Sequence, residues 1–141
     1  MDPYHFTLPI EVRDYECDLQ GIVNNAVYQH YLEHTRHQFL KQRGLDFAGL
    51  STEGIHLMVV RAELEYKAPL RSGDSIVVGL KLQRVSSVRF AFIQDIWKAG
   101  ATAQQSILTS RFICAALNRQ GRPMLPDMLK PLLDALPPTD E

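Results

Sequence analysis

Only one stretch of this sequence carries a long helical period, and most of the chain beyond it alternates like strands. Over residues 25–43, Tyr28, Tyr31, Leu32, Thr35 and Phe39 fall on one face at spacings of three and four. Gln29, Glu33, Arg36, His37 and Lys41 fall mostly on the other. That period predicts one amphipathic helix. Asn24 precedes it as an N-cap, because its side chain can accept a first-turn amide, and Gly44 follows as a stop. A lone helix with one apolar stripe must bury that stripe, and the rest of the chain offers sheet to bury it against.

Residues 5–15 alternate, with Phe6, Leu8, Ile10 and Val12 opposed to Thr7, Glu11 and Arg13. Period two predicts a half-buried strand. Pro9 has no amide proton, so the strand lies at an edge or is locally irregular. A loop over 16–23 leads to the helix. Beyond a Gly-containing loop, 57–66 alternates late, with Ala62, Leu64 and Tyr66 against Arg61, Glu63 and Glu65. Ile76, Val78, Leu80 and Leu82 form a second run, and Phe90, Phe92 and Ile96 a third. Residues 107–116 form a fourth, apolar on both faces. The breaks at 69–74, Ser86-Ser87 and Lys98-Ala99-Gly100 are short, which predicts antiparallel neighbours. Asn118-Arg119-Gln120-Gly121 reads as a turn, 126–136 as a short terminal helix, and the Pro-rich 137–141 as a frayed tail. The sum is an α+β fold: a strand, the helix, then a four-strand meander, the whole sheet curled around the helix. Its edge strands offer one route to a dimer.

At 141 residues and 45% hydrophobic, the chain fits a single domain, 1–141, with one core. A net charge of -1 supplies no bulk attraction to nucleic acid or to an anionic membrane. Cys17 and Cys114 do not make a disulfide framework. Met1-Asp2-Pro3-Tyr4-His5 lacks the basic-then-apolar pattern of a signal peptide, and no apolar run approaches transmembrane length. These features predict a reducing, cytoplasmic setting.

The segment richest in chemistry runs Glu16-Cys17-Asp18-Leu19-Gln20-Gly21-Ile22-Val23-Asn24-Asn25. An acid sits in a Gly-containing loop just ahead of a helix. Helix starts present unpaired amides and a partial positive charge. Such a place can hold the oxyanion that develops when a carbonyl is attacked, while a carboxylate beside it can activate water or attack the carbonyl itself. Asp-x-x-Gly is also a common turn, in which the Asp satisfies local amides. The residues alone leave both readings open.

The spacing Asp18-Leu19-Gln20-Gly21-Ile22-Val23, then Tyr28, Glu33 and Arg36, resembles the 4-hydroxybenzoyl-CoA thioesterase-type hotdog family. Val12-Arg13-Asp14-Tyr15-Glu16 and Val23-Asn24-Asn25-Ala26-Val27-Tyr28 are similar to plant acyl-lipid thioesterases and their bacterial relatives. Tyr66-Lys67-Ala68-Pro69-Leu70-Arg71-Ser72-Gly73-Asp74 and Gly121-Arg122-Pro123 extend the likeness over nearly the whole chain. The resemblance implies a hotdog fold, a five-stranded antiparallel sheet around one central helix. It implies hydrolysis of an acyl-CoA or acyl carrier protein thioester without a cofactor. Asp18 matches the catalytic aspartate, and Asn25 the residue whose backbone amide polarises the thioester carbonyl. Gly21 lets the backbone approach the substrate, and Tyr28 lines or supports the acyl pocket or simply fills the core. The family is usually dimeric or tetrameric, with sites between subunits. Many bacterial members place Tyr-His or Phe-Tyr where this chain has Asn24-Asn25, so no His stands here to assist.

Other candidates stand beside these. Arg84, Arg89, Lys81 and Lys98 surround the middle hairpin and suit coenzyme A phosphates, with Ser86 and Ser87 at its turn; scattered surface charges are the plainer account. His30-Tyr31-Leu32-Glu33-His34 spells the H-x-x-E-H order of one zinc peptidase class, but it lies on the polar face without an evident third ligand, and Glu33 can instead pair with Arg36. Two other functions compete with hydrolysis: a non-catalytic hotdog module that binds acyl-CoA, and a hotdog dehydratase, which needs a His in a setting absent here.

Overall fold

The computed structural model describes residues 4–44, 47–100 and 105–134; the expected tail at 137–141 lies outside them. Strand β1 (Phe6–Glu11) leads through a short 3-10 turn to helix α1 (Asn25–Gln42) and then α2 (Phe47–Thr52). Four strands follow: β2 (His56–Tyr66), β3 (Ser75–Arg84), β4 (Arg89–Lys98) and β5 (Ser106–Leu117). A two-residue β6 (Pro123–Met124) and helix α3 (Lys130–Asp134) complete the order. The expected terminal helix over 126–136 is therefore a 3-10 turn at Asp127–Leu129 followed by α3, within the described residues. Helix α2 falls in a segment whose short Phe-Ala-Gly-Leu-Ser-Thr composition carries no helical period.

All paired strands are antiparallel, in the order β1-β3-β4-β5-β2, with β6 beside β5. The sheet thus has six strands rather than five, the sixth being two residues long. As Pro9 predicts, β1 is an edge strand. The four-strand meander needs correction: only β3, β4 and β5 form one, and β2 pairs with β5 rather than β3. Connection length does not force neighbours. Residues 67–74 can span about 26 Å when extended, and β2 and β3 lie three strand spacings apart, about 14 Å. The crossing segment is anchored along its path, which places it against the loop that precedes α1.

The inner sheet face is largely apolar. Ile76, Val78, Leu80 and Leu82 of β3 and Phe90 and Ile96 of β4 are fully buried, and Leu32, Phe39 and Leu40 of α1 meet them. Burying each such side chain is worth about 1.5–3 kcal/mol, so the helix is held chiefly by its seat on the sheet. Asn24 caps α1 by accepting from Ala26 N (2.9 Å), and Gly44 adopts φ +82° just past the end. Arg36 departs from the expected polar face: it turns inward, lies 4.4 Å from the Phe112 ring centroid, and donates to Gln94 Oε1 at 2.8 Å. Gln94, fully buried on β4, donates in turn to the Leu32 carbonyl (2.9 Å), fixing the helix to the sheet.

His5 extends the β1–β3 ladder, since its N–H donates to Leu80 O (2.8 Å) and its Nδ1 accepts from Leu82 N (3.0 Å). An acceptor Nδ1 must be unprotonated, and partial burial, then Arg43 and Lys81, hold its pKa below the usual histidine value. The unfolded chain therefore binds the proton more readily. The contribution of neutral His5 is complete above a pH of about 6.5 and is lost as pH falls through the lower folded value. Urea melts from pH 7.5 to 5 should show stability falling, with a shallower fall in His5→Gln, whose side-chain oxygen can still accept; equal slopes would refute the assignment.

Candidate active site

The loop before α1 is closed at several levels. The 3-10 turn Asp14–Glu16 ends in Glu16, whose carbonyl accepts from Asn24 N (3.2 Å). Cys17 and Val23 form an isolated antiparallel bridge, and Asp18 N donates to Ile22 O at 2.9 Å. Gly21 N donates back to Asp18 O (2.9 Å), and Gly21 has φ +80°. That positive φ explains the glycine, since a Cβ there would meet nothing within 4 Å.

Asp18 is exposed at the tip. Its Oδ1 accepts from Gln20 N (2.9 Å) and Ile22 N (3.3 Å), the geometry of an Asx turn. Its Oδ2 takes no hydrogen bond among the described residues. The turn and the chemistry are therefore not exclusive: one oxygen shapes the loop while the other takes no hydrogen bond among the described residues. At the helix start, Val27 N donates to Asn24 O (2.9 Å) and Ala26 N to Asn24 Oδ1 (2.9 Å). The Asn25 N–H finds no acceptor among the described residues, as expected of a first helical amide. Tyr66 of β2 donates to Asn25 O at 3.4 Å and packs edge-on against Tyr28, with centroids 5.4 Å apart.

The crossing segment supports this loop from below. Val23 N donates to Leu70 O (2.9 Å), Ile22 bridges to Arg71, and Val12 N donates to Asp74 O (2.9 Å). Gly73, at φ +87°, and Asp74, whose Oδ2 accepts from Arg71 N (2.8 Å), make the turn into β3. Tyr28 is buried, and its hydroxyl accepts from Leu70 N at 3.1 Å, so it ties the helix to this segment. Burial raises the Tyr28 pKa above the usual phenol value, which keeps the hydroxyl protonated.

Sequence reasoning passed over Glu16. It is 8% exposed, and its Oε1 accepts from Arg13 N (2.9 Å) and Tyr31 Oη (2.7 Å). Its Oε2 accepts from Arg13 Nε (3.1 Å) and Nη2 (2.5 Å). Burial pushes this carboxyl upward, but the Arg13 and Tyr31 donors outweigh it and leave the pKa below the usual glutamate value. Arg13 and Glu16 are three apart, a visible pairing signal, but nothing local announces the contact with Tyr31.

The basic residues expected to meet coenzyme A do not form one cluster. Arg84 and Arg89 flank the β3–β4 turn, where Ser86 Oγ accepts from Val88 N (3.3 Å) and Arg89 N (3.1 Å), with Ser87 between them in the chain. Ile76 pairs with Lys98 and Arg84 with Phe90, so Lys98 lies at the other end of the hairpin, about 27 Å away at the usual strand rise. There it meets Asp74 at 3.6 Å. The Asp18 loop leaves the sheet at this same end, because Glu11 pairs with Ser75. Within one chain Ser86, Ser87, Arg84 and Arg89 therefore stand at the opposite end from Asp18. Lys81 is on β3, with its Nζ 6.0 Å from the Tyr4 ring centroid.

In the H-x-x-E-H string, His30, Glu33 and His34 are exposed while Tyr31 and Leu32 are buried, and no group of three potential metal ligands occurs among the described residues. Glu33 lies 3.9 Å from His37, and Arg36, its expected partner, is engaged with Gln94. Cys17 and Cys114 are unpaired; burial pushes the Cys114 thiol up to about 11, which leaves it inert. No helix among the described residues is long and apolar enough to cross a membrane.

The sequence pattern of the thioesterase-like superfamily matches residues 12–134, from the end of β1 through α3. The acyl-acyl carrier protein thioesterase ATL3, chloroplastic, of Arabidopsis thaliana is 36% identical over 124 residues, covering 88% of this chain and 64% of that protein. ATL2 of the same plant is 37% identical over 116 residues, covering 82% and 61%. The chain thus spans about three-fifths of the length of these relatives. Among solved structures, a 1,4-dihydroxy-2-naphthoyl-CoA thioesterase from Synechocystis superimposes with a TM-score of 0.82 at 21% identity, covering 93% of this chain and 96% of that one. The sequence pattern thus matches one family over most of the chain and the fold superimposes closely on a thioesterase, and the chain belongs to the thioesterase-like hotdog superfamily.

Proposed function

We propose that the protein hydrolyses an acyl thioester to a free acid and a thiol. The observation that carries this is the exposed Asp18 carboxylate, whose Oδ2 takes no hydrogen bond among the described residues, on a loop closed against a helix start whose Asn25 amide likewise has no acceptor among them. The substrate carbonyl is polarised by the Asn25 N–H, where the helix start favours developing negative charge. Asp18 then either takes a proton from water as it attacks, or attacks the carbonyl itself to give an anhydride that water opens. In both routes the thiolate leaves and is protonated. Gly21 leaves open space on its Cβ side, so a substrate can approach the loop backbone. Tyr28 supports the site from the core rather than touching substrate.

The carrier is coenzyme A or acyl carrier protein, the second being named for the Arabidopsis relatives. The unpaired Cys17 and Cys114 support a reducing, cytoplasmic setting. A dimer or tetramer is part of the proposal. Among the described residues strand β2 has β5 on one side only and exposes Met58 (45%), Val59 (46%) and Val60 (44%), an apolar edge suited to a second copy. In such an assembly Ser86, Ser87, Arg84 and Arg89 serve the carrier of the other copy's substrate, since they cannot reach their own Asp18.

The test is thiol release over a panel of acyl-CoA and acyl carrier protein thioesters, aliphatic and aromatic. Catalytic turnover of at least one class is expected. Tight binding across the panel without release would favour the non-catalytic module instead.

A further inference from the structure

Asp18 sits in the loop and the Asn25 amide at the helix start, and hydrolysis needs them at a fixed separation. What holds the loop to the helix is a buried polar joint. Glu16 closes the loop through its carbonyl, which accepts from Asn24 N (3.2 Å), immediately before Asn25. The Glu16 carboxylate reaches past the helix start to the Tyr31 hydroxyl (2.7 Å), on the same rigid helix as Asn25. Arg13 supplies three further donors to that carboxylate and neutralises it. Tyr31 is itself buried, at 3% exposure, and Thr35 Oγ1 donates to its carbonyl (2.8 Å).

A buried carboxylate is an expensive way to fill space. Apolar side chains of similar volume often stabilise a fold as well or better. What the charged joint adds is direction: a hydrogen-bonded carboxylate tolerates far less displacement than an apolar contact. We infer that Glu16 and Tyr31 are positioning residues for thioester hydrolysis, joined so that the Asp18 loop and the Asn25 amide move as one body. The inference rests on the thioesterase reading of the Asp18 site.

The experiment compares wild type, Tyr31→Phe, Glu16→Gln and the double variant on the best substrate of the panel, below their melting temperatures. A displacement of the order of 1 Å at a reacting centre can cost a hundredfold in rate. Each single variant should therefore lose about ten- to a hundredfold in kcat, with KM within about threefold of wild type. Because both residues act through one joint, the double variant should lose no more than the worse single one. Amide exchange at Ile22 and Asn24 should accelerate in both single variants while β4 and β5 stay protected. Unchanged kcat in both variants, even with a lowered Tm, would overturn the inference while leaving the thioesterase reading intact. Losses that multiply in the double variant would also overturn it, because the residues would then act independently. Failure of the wild type on every thioester would overturn both.

Discussion

Asp18→Asn is expected to cut kcat by on the order of 10²–10⁴ while leaving the fold and the loop in place. The asparagine carbonyl can occupy the Oδ1 position and accept from Gln20 N and Ile22 N as the carboxylate does. Only the Oδ2 position changes, from an anionic oxygen to an amide nitrogen that can neither take a proton nor attack a carbonyl. The loop-shaping role belongs to Oδ1, and the proposed chemical role to Oδ2, so this substitution tests the second while keeping the first. Steady-state thiol release gives the rate, and circular dichroism with a thermal melt verifies the fold. Wild-type turnover in the variant would remove Asp18 from the mechanism. A single turnover in oxygen-labelled water separates the two routes, because label appears in the Asp18 side chain only if an anhydride forms there.

The largest stability loss is expected from Phe39→Ala, about 3–5 kcal/mol. Phe39 is fully buried on the sheet-facing side of α1, with its ring 5.9 Å from Phe6 of β1 and under the Arg43 guanidinium at 5.5 Å. Truncation leaves a cavity between the helix and the edge strand that rigid neighbours cannot close. The helix alone would not survive on local preference, since its polar face and interior Thr35 add little. Urea unfolding should show the midpoint falling with little change in slope. A loss under about 1 kcal/mol would mean that the core collapses freely around the site. Because Phe39 is distant in the helix from Asn25, kcat measured well below the melt should fall far less than in Asp18→Asn.

Much of the fold is legible in the chain itself. The 3.6-residue period over Tyr28, Tyr31, Leu32, Thr35 and Phe39 places α1 within a residue of its ends, because the apolar stripe, the Asn24 cap and the Gly44 stop all agree. The alternation in β1, β3 and β4 names the inner face correctly, and Pro9 marks the edge. Asp18, Gly21 and Asn25 are found together because they are close in the chain. Apart from short α2 and the last turns, where local pattern is weak, the differences concern residues distant in sequence. Arg36 looks like a surface residue until Phe112 and Gln94, from two other strands, give it a seat. Lys98 looks like a neighbour of Arg84 until the register sends it to the other end of the hairpin.

The sequence by itself determined the long helix and its buried face, the five main strands and the acid loop at the helix start, since these follow from short-range periodicity and steric rules that act within a few residues. Only the tertiary structure decided that β2 crosses to β5, that residues 67–74 support the loop, and that Glu16 is locked to Tyr31. Those outcomes depend on which distant groups meet once the sheet curls around the helix. A buried donor or acceptor is satisfied by whichever partner the packing brings within about 3 Å, and no local pattern encodes that choice.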